Sequence, residues 1–161
     1  MSVTSIDKDL DGLTFTLIAD FDAPVERVWE LWADPRKLER WWGPPGYPAT
    51  FEKHDLAPGG EVAYYMTSPE GERNHGWWRF VSVDPPKALE IQMGFADEEG
   101  NPIADMSASA VRVQLSERGG GTRMELRFSF DSPEEMERVM EMGMAEGLQQ
   151  SVGQMDALLA G

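Results

Sequence analysis

The chain has 161 residues, a formal net charge of −15 and no cysteine. This length fits about one domain, the charge disfavours binding to nucleic acid or to an anionic membrane surface, and the missing thiols exclude disulfides and thiolate metal sites. No apolar run reaches the roughly 20 residues of a membrane span, and the first residues lack the basic start and apolar stretch of a signal peptide, so we expect a cytoplasmic protein.

The first third of the chain predicts one strand followed by two short helices. Residues 1–12 are polar, and we expect them to form a flexible N-terminus. Apolar and polar side chains alternate over residues 13–22, which is the pattern of a half-buried strand. Pro24 suits the first turn of a helix, and Asp34 can cap a second helix. The Gly and Pro residues at 43–46 end that second helix.

The middle of the chain predicts a series of antiparallel strands. Between residues 49 and 130, apolar residues alternate with polar ones in short runs, which are separated by Gly, Pro, Asp and Asn. The alternating apolar series include Val62, Tyr64 and Met66, then Leu89, Ile91, Met93 and Phe95, and finally Met124, Leu126, Phe128 and Phe130. Strands that follow one another through short turns form an antiparallel meander.

The end of the chain predicts one long helix. Ser132 and Glu135 form a capping box, with Pro133 at the first helical position. The apolar spacing continues to residue 159, so the helix would be roughly 40 Å long and would cross the sheet. Gly143 and Gly147 share one face of it. We expect the helix to approach the sheet closely there, and the alternative is that the two glycines leave space for a ligand.

Two groups of apolar residues have both a structural and a functional interpretation. Trp41 and Trp42 either pack the second short helix onto the sheet or form part of a pocket mouth or partner surface. Methionine is high at ten residues. These side chains are flexible and adapt to varied apolar shapes, so they either fill the core or line a cavity.

The sequence shows no pattern typical of a catalytic or cofactor site. His54 and His75 lack the close spacing of a metal site, and we expect structural or exposed positions for both. No Gly-x-Ser-x-Gly elbow and no phosphate-binding glycine loop is present. Strict alternation directs Glu90 and Gln92 away from the apolar face of their strand. We therefore expect no cofactor, no metal and no catalytic residue.

The order of these features resembles the SRPBCC (START/Bet v 1-like) superfamily. Within it, the chain is most similar to the group named after the activator of heat-shock protein 90 ATPase. The resemblance covers residues from about 14 to 160. It is carried by Phe21-Asp22-Ala23-Pro24, Val28-Trp29, Asp34-Pro35, Leu38, Trp41-Trp42-Gly43-Pro44, Asp55-Leu56, Pro58-Gly59-Gly60, Gly76, Asp84-Pro85-Pro86, Gly121-Thr122-Arg123-Met124-Glu125-Leu126 and Glu146-Gly147. Where the family often has Trp after the glycine of the last helix, this chain has Leu148.

This resemblance implies an α+β helix-grip fold. A curved antiparallel β-sheet would wrap around the long C-terminal α-helix, with two short helices after the first strand. We expect residues 13–161 to form a single domain of this type, because no repeat or linker interrupts them. In the superfamily, the cavity between sheet and helix often binds hydrophobic molecules, and some relatives are enzymes.

We expect this chain to bind a small hydrophobic ligand in that cavity without catalysis. The candidate ligand-binding residues are the inward-facing aromatic and Met side chains Trp42, Tyr64, Met66, Trp78, Phe80, Met93, Phe95, Phe128, Met140 and Met144. One alternative is a cyclase- or hydratase-type enzyme acting on an apolar substrate. Another is a protein-interaction module that regulates a chaperone, in which Trp41 or Trp42 would be exposed. The sequence leaves both a monomer and a homodimer open.

Overall fold

The computed structural model describes residues 3–103, 109–141 and 143–159, which form eight strands and four helices. The strands are β1 (Val3–Asp9), β2 (Thr14–Phe21), β3 (Ala49–His54), β4 (Glu61–Thr67), β5 (Arg73–Asp84), β6 (Ala88–Ala96), β7 (Ser109–Arg118) and β8 (Gly121–Ser129). The helices are α1 (Val25–Ala33), α2 (Pro35–Leu38), α3 (Pro133–Glu141) and α4 (Met144–Leu159). No helix in the described part of the chain is long and apolar enough to cross a membrane.

The eight strands form one curved antiparallel sheet, in the order β1-β2-β8-β7-β6-β5-β4-β3. Strands β3 to β8 form a meander, and β8 then pairs with β2. The inner face of the sheet packs against the helices, because alternate side chains such as Leu17, Leu126 and Val113 are fully buried there. The structure therefore has the α+β helix-grip fold that the sequence predicts.

The N-terminal segment differs from the sequence expectation. Within the segment expected to be flexible, Val3–Asp9 forms strand β1, which pairs antiparallel with β2. Its apolar residues Val3 and Ile6 pack against the core, while most of its other side chains are exposed. Backbone pairing to β2 thus orders a segment with a weak apolar pattern. The two short helices consequently follow the second strand instead of the first.

The C-terminal helix is divided in two. α3 ends at Glu141 and α4 begins at Met144, whereas the sequence predicts one helix across residues 133–159. Gly143 has φ +84°, a left-handed conformation in which a helix cannot continue and which glycine adopts at little cost. The N–H of Gly143 donates to the carbonyl oxygen of Met140, which closes the last turn of α3. Ser132 caps the start of α3 as predicted, since its Oγ accepts from the N–H of Glu135 at 3.2 Å.

Hydrogen bonds attach α4 to the segment that follows α2. The Ser151 hydroxyl donates to the carbonyl oxygen of Trp42 at 2.8 Å. The Gln154 amide donates to the carbonyl oxygens of Trp41 and Gly43 at 3.1 and 2.7 Å. These bonds satisfy backbone oxygens that no helix or strand pairs, and they fix Trp42 beside α4. The Trp42 ring is therefore held between the helix and the sheet.

Candidate functional site

A cavity of about 300 Å³ lies between the inner face of the sheet and the C-terminal helices. Strands β4, β6 and β8 contribute one side of it, α3 and α4 contribute another, and the segment after α2 completes it. Its lining residues are Trp42, Pro44, Tyr64, Met66, Met93, Gly94, Phe95, Phe128, Val139, Gly143, Met144, Gly147, Leu148 and Ser151. Most of these side chains are apolar, so the cavity suits an apolar guest.

Seven of the ten residues predicted from the sequence line this cavity, namely Trp42, Tyr64, Met66, Met93, Phe95, Phe128 and Met144. Trp78, Phe80 and Met140 do not. Trp78 and Phe80 face the same side of the sheet, but they are 1% and 0% exposed and pack inside the core. Met140 packs partly buried against the core, and α3 contributes Val139 to the cavity instead.

Seven further residues line the cavity without having been predicted from the sequence: Pro44, Gly94, Val139, Gly143, Gly147, Leu148 and Ser151. The glycine pair in the last helix was the available signal for part of this set. Among the described residues, a Cβ atom on Gly147 would contact only Pro44 Cγ, at 4.0 Å, and a Cβ atom on Gly143 would meet nothing within 4 Å. The expected close approach of helix and sheet is therefore wrong, and the alternative of vacant space beside the two glycines is correct.

A cluster of aromatic rings surrounds the ring of Tyr64. Its ring stacks on Phe51 with the centroids 5.0 Å apart, and it lies edge-on to Trp42 and Trp78 at 6.3 and 5.9 Å. Gly76 on the neighbouring strand makes this arrangement possible, because a Cβ atom there would lie 2.5 Å from the Tyr64 hydroxyl oxygen. The ring of Tyr64 thus crosses over β5, in a position that any larger residue at 76 would disturb.

The polar atoms of this aromatic cluster are largely unpaired. In the described part of the chain, the buried Nε1 atoms of Trp32, Trp42 and Trp78 have no partner within hydrogen-bond geometry. Burial raises the pKa of the Tyr64 hydroxyl, and the nearby indole N–H groups of Trp42 and Trp78 oppose this with a smaller effect. The hydroxyl is therefore protonated and neutral at physiological pH.

Both histidines have structural contacts outside the cavity. His54 Nε2 lies 3.1 Å from the carbonyl oxygen of Trp32, so this nitrogen carries the proton and donates. The His75 ring packs against Tyr65 with the centroids 5.5 Å apart. Among the described residues, no group of three or more His, Asp and Glu side chains is arranged to hold a metal ion.

The two adjacent tryptophans have different positions. Trp41 is fully buried, and its Nε1–H donates to the carbonyl oxygen of Leu31 at 2.8 Å. Trp42 is 7% exposed and lines the cavity. Each of the two interpretations from the sequence therefore applies to one of the tryptophans. Trp41 packs the helices onto the sheet, and Trp42 forms a wall of the cavity. Neither ring forms an exposed aromatic surface.

Comparisons with known proteins agree with this architecture. The crystal structure of protein Ms6760 from Mycobacterium smegmatis is 46% identical, with a TM-score of 0.92 over 98% of this chain and 96% of that one. A solution NMR structure from Arthrobacter aurescens is 47% identical, with a TM-score of 0.95 over 99% and 92% of the two chains. The AHSA1 protein from Silicibacter pomeroyi, at 24% identity and a TM-score of 0.74 over 91% and 97%, shares the fold.

A comparison with proteins of curated function finds no match. The family model described as "Activator of Hsp90 ATPase homolog 1-like protein" matches residues 22–160, which is nearly the whole chain. The chain therefore belongs to the Activator of Hsp90 ATPase homolog 1-like family, within the superfamily that its sequence resembles.

Proposed function

We propose that the protein binds a small hydrophobic molecule in this cavity and does not transform it chemically. The observation that carries the proposal is the cavity itself, which holds about 300 Å³ between sheet and helices and is lined mainly by apolar side chains. Moving apolar surface out of water is favourable by about 25 cal/mol per Å². Met66, Met93 and Met144 adapt the wall to different ligand shapes, because their side chains are flexible and polarizable.

The size of the cavity indicates the size of the ligand. An apolar protein cavity of roughly 150 Å³ accommodates one benzene molecule. This cavity has about twice that volume, so it fits a molecule of two fused or linked rings. A probe such as 2-acetylnaphthalene matches this size.

The chemistry of the lining supports binding over catalysis. A cyclase or hydratase needs an acid or base in contact with its substrate. Within the described part of the chain, the cavity lining contains no Asp, Glu, His, Lys or Arg. Glu90 and Gln92 are exposed, as strand alternation predicts. Tyr64 is the ionisable side chain of the described lining, and burial raises the pKa of its hydroxyl, which disfavours the phenolate that a general base would need.

The interaction-module alternative loses the feature that motivated it, because Trp41 and Trp42 are both buried. A cytoplasmic location is a proposal from the sequence alone, and a homodimer is one of the two oligomeric states that the sequence leaves open.

Two measurements test the proposal. Native mass spectrometry of freshly purified protein is expected to show a co-purified molecule or, after delipidation, one molecule of added 2-acetylnaphthalene per chain. Calorimetric titration is expected to show saturable one-to-one binding. Leu148→Trp adds an indole to the cavity wall and is expected to weaken binding at least about tenfold, whereas the volume-conserving Leu148→Met retains it. Wild-type protein that binds neither this probe nor any of a panel of neutral apolar compounds would refute the proposal.

A further inference from the structure

We propose that the cavity selects a neutral molecule that carries one hydrogen-bond acceptor, of the carbonyl type, and that this acceptor binds the Tyr64 hydroxyl. The inference rests on the proposed function, because it names the chemical class of ligand for the same cavity. It goes beyond a general preference for apolar compounds, since it assigns one polar contact to one side chain.

The polar neighbours of the Tyr64 hydroxyl are donors. Its ring packs edge-on against Trp42 and Trp78, whose buried indole N–H groups have no hydrogen-bond partner in the described part of the chain. An indole N–H group can only donate, so neither of them can accept the Tyr64 hydroxyl proton. In the described part of the chain, Tyr64 also forms no side-chain hydrogen bond to any other residue, so its hydroxyl proton has no acceptor there. Tyr64 lines the cavity, so a ligand is the group in a position to supply that acceptor.

The described lining offers few polar groups besides Tyr64. Ser151 is the other hydroxyl-bearing residue among the described lining residues, and its hydroxyl already donates to the Trp42 carbonyl oxygen. A ligand with several polar groups would therefore leave most of them without partners in an apolar enclosure, which is costly. One acceptor, placed beside Tyr64, meets no such penalty.

The described lining also disfavours a charged ligand. A carboxylate in the cavity would lose its hydration without gaining a cationic partner, because the described lining contains no Lys, Arg or His. The whole chain also carries a formal net charge of −15, which repels anions at longer range. A ketone, ester or amide oxygen provides the acceptor without the charge.

Three ligands of similar shape separate the contribution of the carbonyl acceptor from that of ligand charge. 2-Acetylnaphthalene carries the carbonyl oxygen, 2-isopropenylnaphthalene replaces that oxygen by a CH₂ group, and 2-naphthoate replaces the acetyl group by a carboxylate. Each is titrated against wild type, Tyr64→Phe and Tyr65→Phe. Tyr65 is the matched control, because it lies on the same strand and its ring packs against His75 and Arg73 instead of the cavity.

We expect wild type to bind the ketone about tenfold more tightly than the alkene, as one hydrogen bond allows. Tyr64→Phe is expected to lose this preference by weakening ketone binding alone, and Tyr65→Phe to keep it. 2-Naphthoate is expected to bind at least about tenfold more weakly than the ketone. In ¹H–¹⁵N spectra, the ketone is expected to shift the indole N–H signals of Trp42 and Trp78 in wild type, because both rings pack against the ring of Tyr64.

The outcomes are distinguishable from failure of the proposed function. If ketone and alkene bind equally well to wild type and Tyr64→Phe, the cavity binds ligands but the assigned contact is wrong. If the carboxylate binds most tightly, the assignment of a neutral ligand is wrong. If none of the three binds to wild type, the proposed function itself fails together with the inference.

Discussion

Replacing Gly147 by Phe is expected to fill half of the cavity and to exclude two-ring ligands. The substitution suits this purpose because Pro44 Cγ, at 4.0 Å, is the one atom of the described structure that a Cβ atom at 147 would contact, and both residues line the cavity. Gly147 has an ordinary helical conformation in α4, so a larger side chain also raises helix propensity there. A phenyl ring takes roughly 150 Å³, the space that one benzene occupies, and leaves room for one ring of ligand.

The expected loss follows from the contact area removed. Excluding one ring of 2-acetylnaphthalene forfeits roughly 100 Å² of apolar burial, or about 2.5 kcal/mol at 25 cal/mol per Å². This energy corresponds to about a 70-fold increase in Kd. Acetophenone, which has one ring, is expected to keep its affinity within about threefold, so the variant loses the preference of wild type for the two-ring ketone.

Calorimetric titration measures both ligands, and Gly153→Phe is the matched control. Gly153 also lies in α4, and a Cβ atom there would meet no described atom within 4 Å, but Gly153 is not among the described lining residues of the cavity. We expect this control to bind both ketones as wild type does. If Gly147→Phe folds, as judged by circular dichroism, and still binds 2-acetylnaphthalene with wild-type affinity, the ligand occupies some other site and the reasoning is refuted.

Three further predictions concern the stability of the fold. Gly143→Ala is expected to destabilise the protein by about 1 kcal/mol in urea unfolding, because φ is +84° there, and an unchanged midpoint would contradict the helix break. Thr122→Val removes the buried 2.6 Å hydrogen bond to the Ala23 carbonyl oxygen and is expected to cost about 1–3 kcal/mol, whereas Thr122→Ser retains the donor and is expected to cost less. The hydrogen bond from Arg123 lowers the pKa of Asp20 below its ordinary value of 3.8. The stabilisation from this pair is therefore complete above about pH 3.8 and is lost as the pH falls through the lower folded-state pKa. Asp20→Asn is expected to make the free energy of unfolding less dependent on pH in this acidic range. An unchanged pH dependence there would contradict the pairing.

The fold was predictable because most of its strands carry a clear apolar alternation. The alternating apolar residues of β6 and β8 identify the buried face of the sheet directly. Sequential strands joined by short turns leave few possible orders of the strands in the sheet. Strand β1 was not predictable in this way. Of its residues, Val3 and Ile6 pack against the core, and its order comes from pairing with β2, which is an interaction distant in sequence.

The sequence predicted which side chains of each strand face inward, but not which of them reach the cavity. Alternation shows which side chains of a strand face inward, but it does not show how far along the strand the helix covers them. Trp78 and Phe80 face inward like Tyr64, and yet they lie in the packed core. The break between α3 and α4 at Gly143 decides which residues of these helices reach the cavity. The break depends on a left-handed backbone conformation at Gly143. Glycine can adopt this conformation but also adopts others, so its presence in the sequence does not predict the break.

The most direct test of the account is a search for NOE contacts between bound 2-acetylnaphthalene and ¹³C-labelled methionine methyl groups. The lining methionines are Met66, Met93 and Met144, while Met124 and Met155 are fully buried elsewhere and serve as internal controls. The account predicts NOEs from the probe to the three lining methyl groups and none to the two controls. A saturated complex that shows no NOE to any lining methyl group would contradict binding between the sheet and the C-terminal helices.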